Sequence, residues 1–121
     1  MSPTPSPADE WLAPLAAALK QTSARLCVTS LHGSTAAFVL TSLTSTPALA
    51  SYRNRPWIIV TANNEAAERL FDDLQFCHQL IGAPSDRLTL FPQWETLPYE
   101  ATTPHIGLIA HRMQTLHRLQ S

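Results

Sequence analysis

Three short apolar runs do most to limit what this chain can become: RLCVTS at residues 25–30, WIIVTA at 57–62 and RLTLF at 87–91. Each reads as a strand. The middle one is apolar without a break from Trp57 to Val60, the pattern of a strand covered on both faces, as in a parallel sheet. Between the runs lie stretches with helical spacing. Residues 8–21 place Trp11, Leu15 and Leu19 at i, i+4 and i+8 with Leu12 beside them, and Pro14 either restarts or kinks that helix. Residues 34–43 carry Ala36, Ala37, Phe38, Val39, Leu40 and Leu43 and are apolar nearly all round, which predicts burial.

Residues 65–81 put Leu70, Leu74, Cys77 and Ile81 on one face, behind a cap at Asn63 or Asn64. Glu65 and Glu68 suit the first turn of that helix, and Glu65 and Arg69 are spaced as an i, i+4 pair. Residues 44–56 and 92–104 read as loops. A last helix starts with Thr103 as cap and Pro104 at its first position, and Ile106, Ile109, Met113 and Leu116 form its predicted buried stripe.

The order is helix, then β-α-β-α-β-α. It predicts an α/β fold, a three-layer parallel sheet flanked by helices and joined by right-handed crossovers. Residues 1–8 form a leader and 9–121 a single domain. Three strands make an incomplete sheet, and its open edge invites weak self-association with a second copy.

Composition narrows function mainly by exclusion. With 121 residues, 45% hydrophobic and 14% charged, the chain has the makings of an ordered core. Its net charge of −1 advertises neither a nucleic-acid surface nor an acidic tail. Cys27 and Cys77 fall in apolar segments without metal-type spacing and read as buried free thiols. His105, His111 and His117 recur every six residues, which scatters them around a helix, so no metal site is expected. The opening MSPTPSPADE has no apolar core of a signal peptide, and no run approaches the ~18 residues of a membrane span. A cytoplasmic location without membrane contact is expected.

After the first run comes a polar turn and then a helix, the outline of a phosphate loop. A working loop reads G-x-x-x-x-G-K-[ST]: backbone N–H groups wrap the phosphates, the Lys meets their charge and the hydroxyl ligates Mg²⁺. The corresponding positions here are Ser30, Leu31, His32, Gly33, Ser34, Thr35, Ala36 and Ala37. Ala36 stands where the Lys belongs and Ala37 where the hydroxyl belongs. The loop is degenerate, and neither catalysis nor a cofactor is expected of it.

The stretch LFPQWETLPYEATTPHIGLIAHRMQTLHRL, residues 90–119, closely resembles the N-terminal module of bacterial transcription-repair coupling factors. There a strand ends in F-P-x-W-E-T-L-P-Y-[DE], followed by S-P-H and a helix with an R-[LM]-x-T-L run. The matching residues are Phe91, Pro92, Trp94, Glu95, Thr96, Leu97, Pro98, Tyr99 and Glu100, then Pro104, His105, Arg112, Met113, Thr115 and Leu116. PWIIVTANNEAAERLFDDLQFC, residues 56–77, is similar to that family's second strand and helix in a looser way.

The resemblance implies a helicase-like module whose nucleotide site has decayed. Such a module recruits the excision-repair ATPase subunit in transcription-coupled nucleotide excision repair and packs against the remainder of the coupling factor in an autoinhibitory manner. ATP-driven translocation on DNA belongs to a separate C-terminal motor, and RNA polymerase and DNA are met through other domains. A further inserted domain, carrying much of the recruitment surface, follows this segment in the family.

Within this frame Trp94, Glu95, Tyr99, His105 and Arg112 are the signature residues and a candidate interface. Trp94 and Tyr99 either anchor a partner or fold back over the sheet as a small core. Glu95 and Glu100 have no nucleophile beside them and read as caps or ion-pair partners. Arg112 and Arg118 suit a helix C-terminal half or a solvated face. Two other readings are a small nucleotide-binding enzyme built on the Gly33 turn and a DNA-binding module built on Trp94, Tyr99 and the arginines.

Overall fold

The computed structural model describes residues 7–21, 25–94 and 105–120. These residues form four α-helices, α1 (Pro7–Leu19), α2 (Thr35–Ser45), α3 (Asn64–Leu80) and α4 (Ile106–Gln120), with 3₁₀ helices at Pro47–Tyr52 and Ser85–Arg87. No described residue lies in a strand. The expected α/β architecture, a parallel sheet between helix layers, is thereby overturned: the three apolar runs at 25–30, 57–62 and 87–91 remain irregular apart from the turn at Ser85–Arg87.

The physical reason lies in what defines a strand. A helix closes its hydrogen bonds within its own residues, whereas a strand exists only through a ladder to a neighbour. Residues 57–60 make no hydrogen bond among the described residues. Ile58 and Val60 are 76% and 88% exposed, so the most strand-like run in the sequence is uncovered.

Helix α2 sits at the centre and explains its own apolar composition by having two covered faces. Val39 and Leu43 pack with Leu12 and Ala16 of α1 and with Leu49 of the first 3₁₀ helix, flanked by Leu15 and Tyr52. Ala37 packs with Leu74 and Cys77 of α3, flanked by Leu40, Leu70 and Leu88. Each fully covered leucine contributes roughly 1.5–3 kcal/mol. Phe38 points between these faces and is half exposed, stacked on Trp11 with ring centres 6.0 Å apart.

Helix α1 runs through Pro14 without a restart and buries Leu12 and Ala16, leaving Trp11 and Leu19 at its rim. The segment read as a loop after α2 contains the 3₁₀ helix Pro47–Tyr52, with a kink at Leu49 that lets this side chain drop into the first core.

Helix α3 follows its sequence signals except at its end, where Ile81, expected on the buried face, is the C-cap and is 50% exposed. Asn63 adopts extended backbone and its side chain accepts from the Ala66 N–H at 2.8 Å, the reach of an N-cap. Glu65 and Arg69 are paired at 3.4 Å on the exposed face. The helix ends at a left-handed Gly82 (φ +66°), with the Gly82 N–H on the Gln79 carbonyl at 3.2 Å and the Ala83 N–H on the His78 carbonyl at 2.9 Å. That pair of bonds is a Schellman motif and satisfies carbonyls the helix cannot. Cys77 is buried as expected; Cys27 is exposed, because the run around it has no cover.

Helix α4 departs from expectation in its facing. Ile106, Met113 and Leu116 are exposed and Ile109 half-buried, while Thr115 is the buried residue. The described residues include no helix long and apolar enough to cross a membrane.

Candidate functional site

The turn before α2 is built from two left-handed residues, Ser30 (φ 63°) and Gly33 (φ 56°). Thr35 closes it twice onto the His32 carbonyl, with its N–H at 3.2 Å and its Oγ1 at 2.6 Å. Ser34 stands at the N-cap position and its side chain makes no capping bond. Ser30, His32, Gly33, Ser34 and Thr35 are all exposed, Ala36 is half-buried and Ala37 is fully buried.

This geometry adds something the sequence alone does not give. Ala37, at the position of the Mg²⁺ hydroxyl, packs against Leu74 and Cys77. A hydroxyl placed there faces apolar side chains, away from any ligand over the turn. The Thr35 hydroxyl, at the first residue of α2, donates to the His32 carbonyl. The turn offers N–H groups at a helix start beside the exposed Ser30, His32 and Ser34, with alanine at positions 36 and 37.

A second constellation forms where α4 meets residues 86–94. The Arg112 guanidinium lies over the Phe91 ring, 4.0 Å from its centre, and over the Trp94 ring at 4.5 Å. Its Nη1 also donates to the Pro92 carbonyl. Two aromatic faces and a carbonyl therefore hold one cation, an arrangement that a planar, delocalised guanidinium suits better than an ammonium does. One turn and a half further on, Arg118 Nη1 donates to the Asp86 carbonyl at 3.1 Å and to Thr89 Oγ1 at 3.2 Å. Both arginines fasten α4 to residues 86–94, with Arg112 half-buried and Arg118 exposed.

Asn64 joins that segment to α3. Its Oδ1 accepts from the Gln93 N–H at 3.3 Å and its Nδ2 donates to Glu68 Oε1 at 2.8 Å. A shallow concavity of about 510 Å³ lies between these elements, with Glu68, Gln93, His105 and His111 on its polar side and Leu90 and Leu108 on its apolar side. His105 accepts from the Gly107 N–H at 3.2 Å and so helps start α4.

Of the signature residues, Trp94 and Arg112 come together and His105 lies at the rim of the adjoining concavity. Trp94 is 46% exposed, seated against the arginine instead of folded into a core. Glu95 and Tyr99 lie outside the described residues, as do Glu100, Thr103 and Pro104. No hydrogen bond, ion pair or ring contact joins the turn at residues 30–37 to the arginine cluster among the described residues. No group of His, Cys, Asp and Glu there is placed to hold a metal ion. Asn64 and Gln93 were missed by sequence reasoning. A second Asn after the cap, four residues before a Glu, was the available signal for the Asn64–Glu68 bond; nothing local foretold the one to Gln93.

Comparison with known proteins returned relatives of a single kind. The chain is 36% identical over 64 residues to the transcription-repair-coupling factor of Haemophilus influenzae, covering 53% of this chain and 5% of that protein. It is 35% identical over 67 residues to that of Mycobacterium tuberculosis, 55% of this chain and 5% of the relative. For the Escherichia coli protein the figures are 34% over 65 residues, 53% and 5%. The chain thus matches about a twentieth of the length of these curated relatives. No protein-family model matches it, and no solved structure matches. The resemblance read from the signature residues is consistent with a fragment of a transcription-repair coupling factor.

Proposed function

We propose that this chain is a non-catalytic segment of a transcription-repair coupling factor, serving transcription-coupled nucleotide excision repair as a scaffold. In that role it supports the domain that recruits the excision-repair ATPase subunit and packs against the remainder of the coupling factor. Its partners are other proteins of the repair assembly, and RNA polymerase and DNA are engaged elsewhere in the full protein. The observation that carries this reading is the similarity of half the chain, at 34–36% identity, to coupling factors from distant bacteria.

Two features of the site support the non-catalytic part. The turn has alanine at both positions that charge and metal chemistry require, and one of them faces the core. The signature arginine is occupied by Phe91, Trp94 and Pro92, which leaves it poorly placed to take a phosphate from DNA.

The test is equilibrium binding of the purified chain to two candidates, the excision-repair ATPase and a coupling factor lacking its own copy of this segment. Saturable binding to at least one of them is expected. Binding to neither, together with a rise in melting temperature on adding ATP and Mg²⁺, would replace the scaffold with a nucleotide-binding protein, since a true ligand stabilises by mass action.

A further inference from the structure

With no sheet edge among the described residues, the weak self-association expected of one loses its basis. The surface with the most definite chemistry is the concavity of about 510 Å³ between α3, α4 and residues 90–93. Glu68 is the only side chain on its wall that carries a formal charge at neutral pH. Two neutral bonds in series set that carboxylate in place. The Gln93 N–H donates to Asn64 Oδ1 at 3.3 Å, and Asn64 Nδ2 donates to Glu68 Oε1 at 2.8 Å. Glu68 Oε2 has no partner among the described residues.

No cation of the chain answers this charge. All eight Lys and Arg residues lie in described segments, and none forms an ion pair with Glu68. Arg69, its neighbour in sequence, is paired with Glu65, and Arg112 is taken up by Phe91, Trp94 and Pro92. A carboxylate oriented by neutral donors and left with its charge unbalanced suits an added cation. Leu90 and Leu108 supply an apolar wall in the same concavity. Charge beside apolar wall matches a side chain with an aliphatic stem and a cationic head. Because a single carboxylate oxygen remains open, a compact ammonium fits better than a guanidinium, whose fork is best met by two.

The surroundings favour a cation carried by a protein over a free amine. Pro92 and Gln93 on the wall lie between the exposed Phe91 and Trp94, and Gly107 follows the exposed Ile106. A small amine leaves that apolar surround bare, whereas a protein surface bearing a lysine brings area to cover it. We infer that the concavity receives a lysine side chain of a partner protein, its ammonium on Glu68 Oε2 and its stem along Leu90 and Leu108. Asn64 is the positioning residue that aims the carboxylate. This lysine site is independent of the coupling-factor reading, and no probe below contains any part of that assembly.

The test is a titration of the isotope-labelled 121-residue chain with Nα-acetyl-lysine-N-methylamide, followed by backbone amide shifts. Saturable shifts at Glu68, Gln93 and Leu108 are expected, with a dissociation constant of about 1–10 mM for an isolated side chain. Capped norleucine, which has the stem without the charge, gives no saturable shift. A capped Leu-Lys-Leu tripeptide binds about threefold or more tightly than capped lysine and extends the shifts to Phe91 and Ile106. Glu68→Gln keeps an oxygen for Asn64 but loses the charge, and it weakens binding about three- to tenfold. Glu65→Gln removes another exposed carboxylate of α3 and leaves binding unchanged. Absence of saturable shifts at these residues overturns the inference, as does equal weakening by the two substitutions. Spermidine binding more tightly than the tripeptide overturns it too, by assigning the concavity to a free polyamine.

Discussion

In α3 the apolar stripe through Leu70, Leu74 and Cys77 meets α2, whereas in α4 the stripe through Ile106, Met113 and Leu116 faces outward and the side bearing Thr115 turns in. Both stripes have the spacing of an amphipathic helix. The difference lies in what fastens each helix. Apolar area fastens α3: Ala37 of α2 is small enough to let Leu74 and Cys77 close over it. Polar and stacking contacts fasten α4, with Arg112 on Phe91, Trp94 and Pro92 and Arg118 on Asp86 and Thr89. Periodicity identifies an apolar face; it does not supply the surface that covers it.

The largest expected contrast comes from truncating one residue in each stripe. Leu74→Ala should destabilise by about 2–5 kcal/mol through lost burial and a residual cavity, and Met113→Ala by less than about 0.5 kcal/mol, both read from urea unfolding. Equal effects would mean that the α4 stripe is covered in solution. A smaller change, about 1–2 kcal/mol, is expected from Arg112→Leu, which removes a charged donor and two ring contacts. Its signature is faster amide exchange in α4 with α3 unaffected, and uniform acceleration in both helices would erase the distinction.

Asn63→Ala removes the cap of α3 and should cost about 1 kcal/mol, with faster exchange confined to the first turn of that helix. Smallest of all is Glu65→Gln. The Glu65–Arg69 pair is exposed, so the loss should be a few tenths of a kcal/mol and should vanish at high salt.

What the sequence made legible follows the same division. The α3 cap, its ion pair and, apart from Ile81, its buried face were readable because each depends on residues within a turn or two of one another. That alanine stands at positions 36 and 37 is a matter of residue type, while the inward facing of Ala37 required the packing of α3. The three apolar runs misled because a strand is a relation between segments. Residues 57–60 have the composition for it and no hydrogen-bonded neighbour among the described residues. Arg112 was misread for a similar reason: as a helical residue it suggests a solvated face, and only the return of residues 91–94 shows that its charge is already engaged.

Gly82 lets the end of α3 report on conformation alone. A methyl group built on its Cα meets no atom within 4 Å, so an alanine there would suffer no collision. Whatever destabilisation Gly82→Ala produced would measure the torsional penalty of a left-handed turn, uncontaminated by crowding.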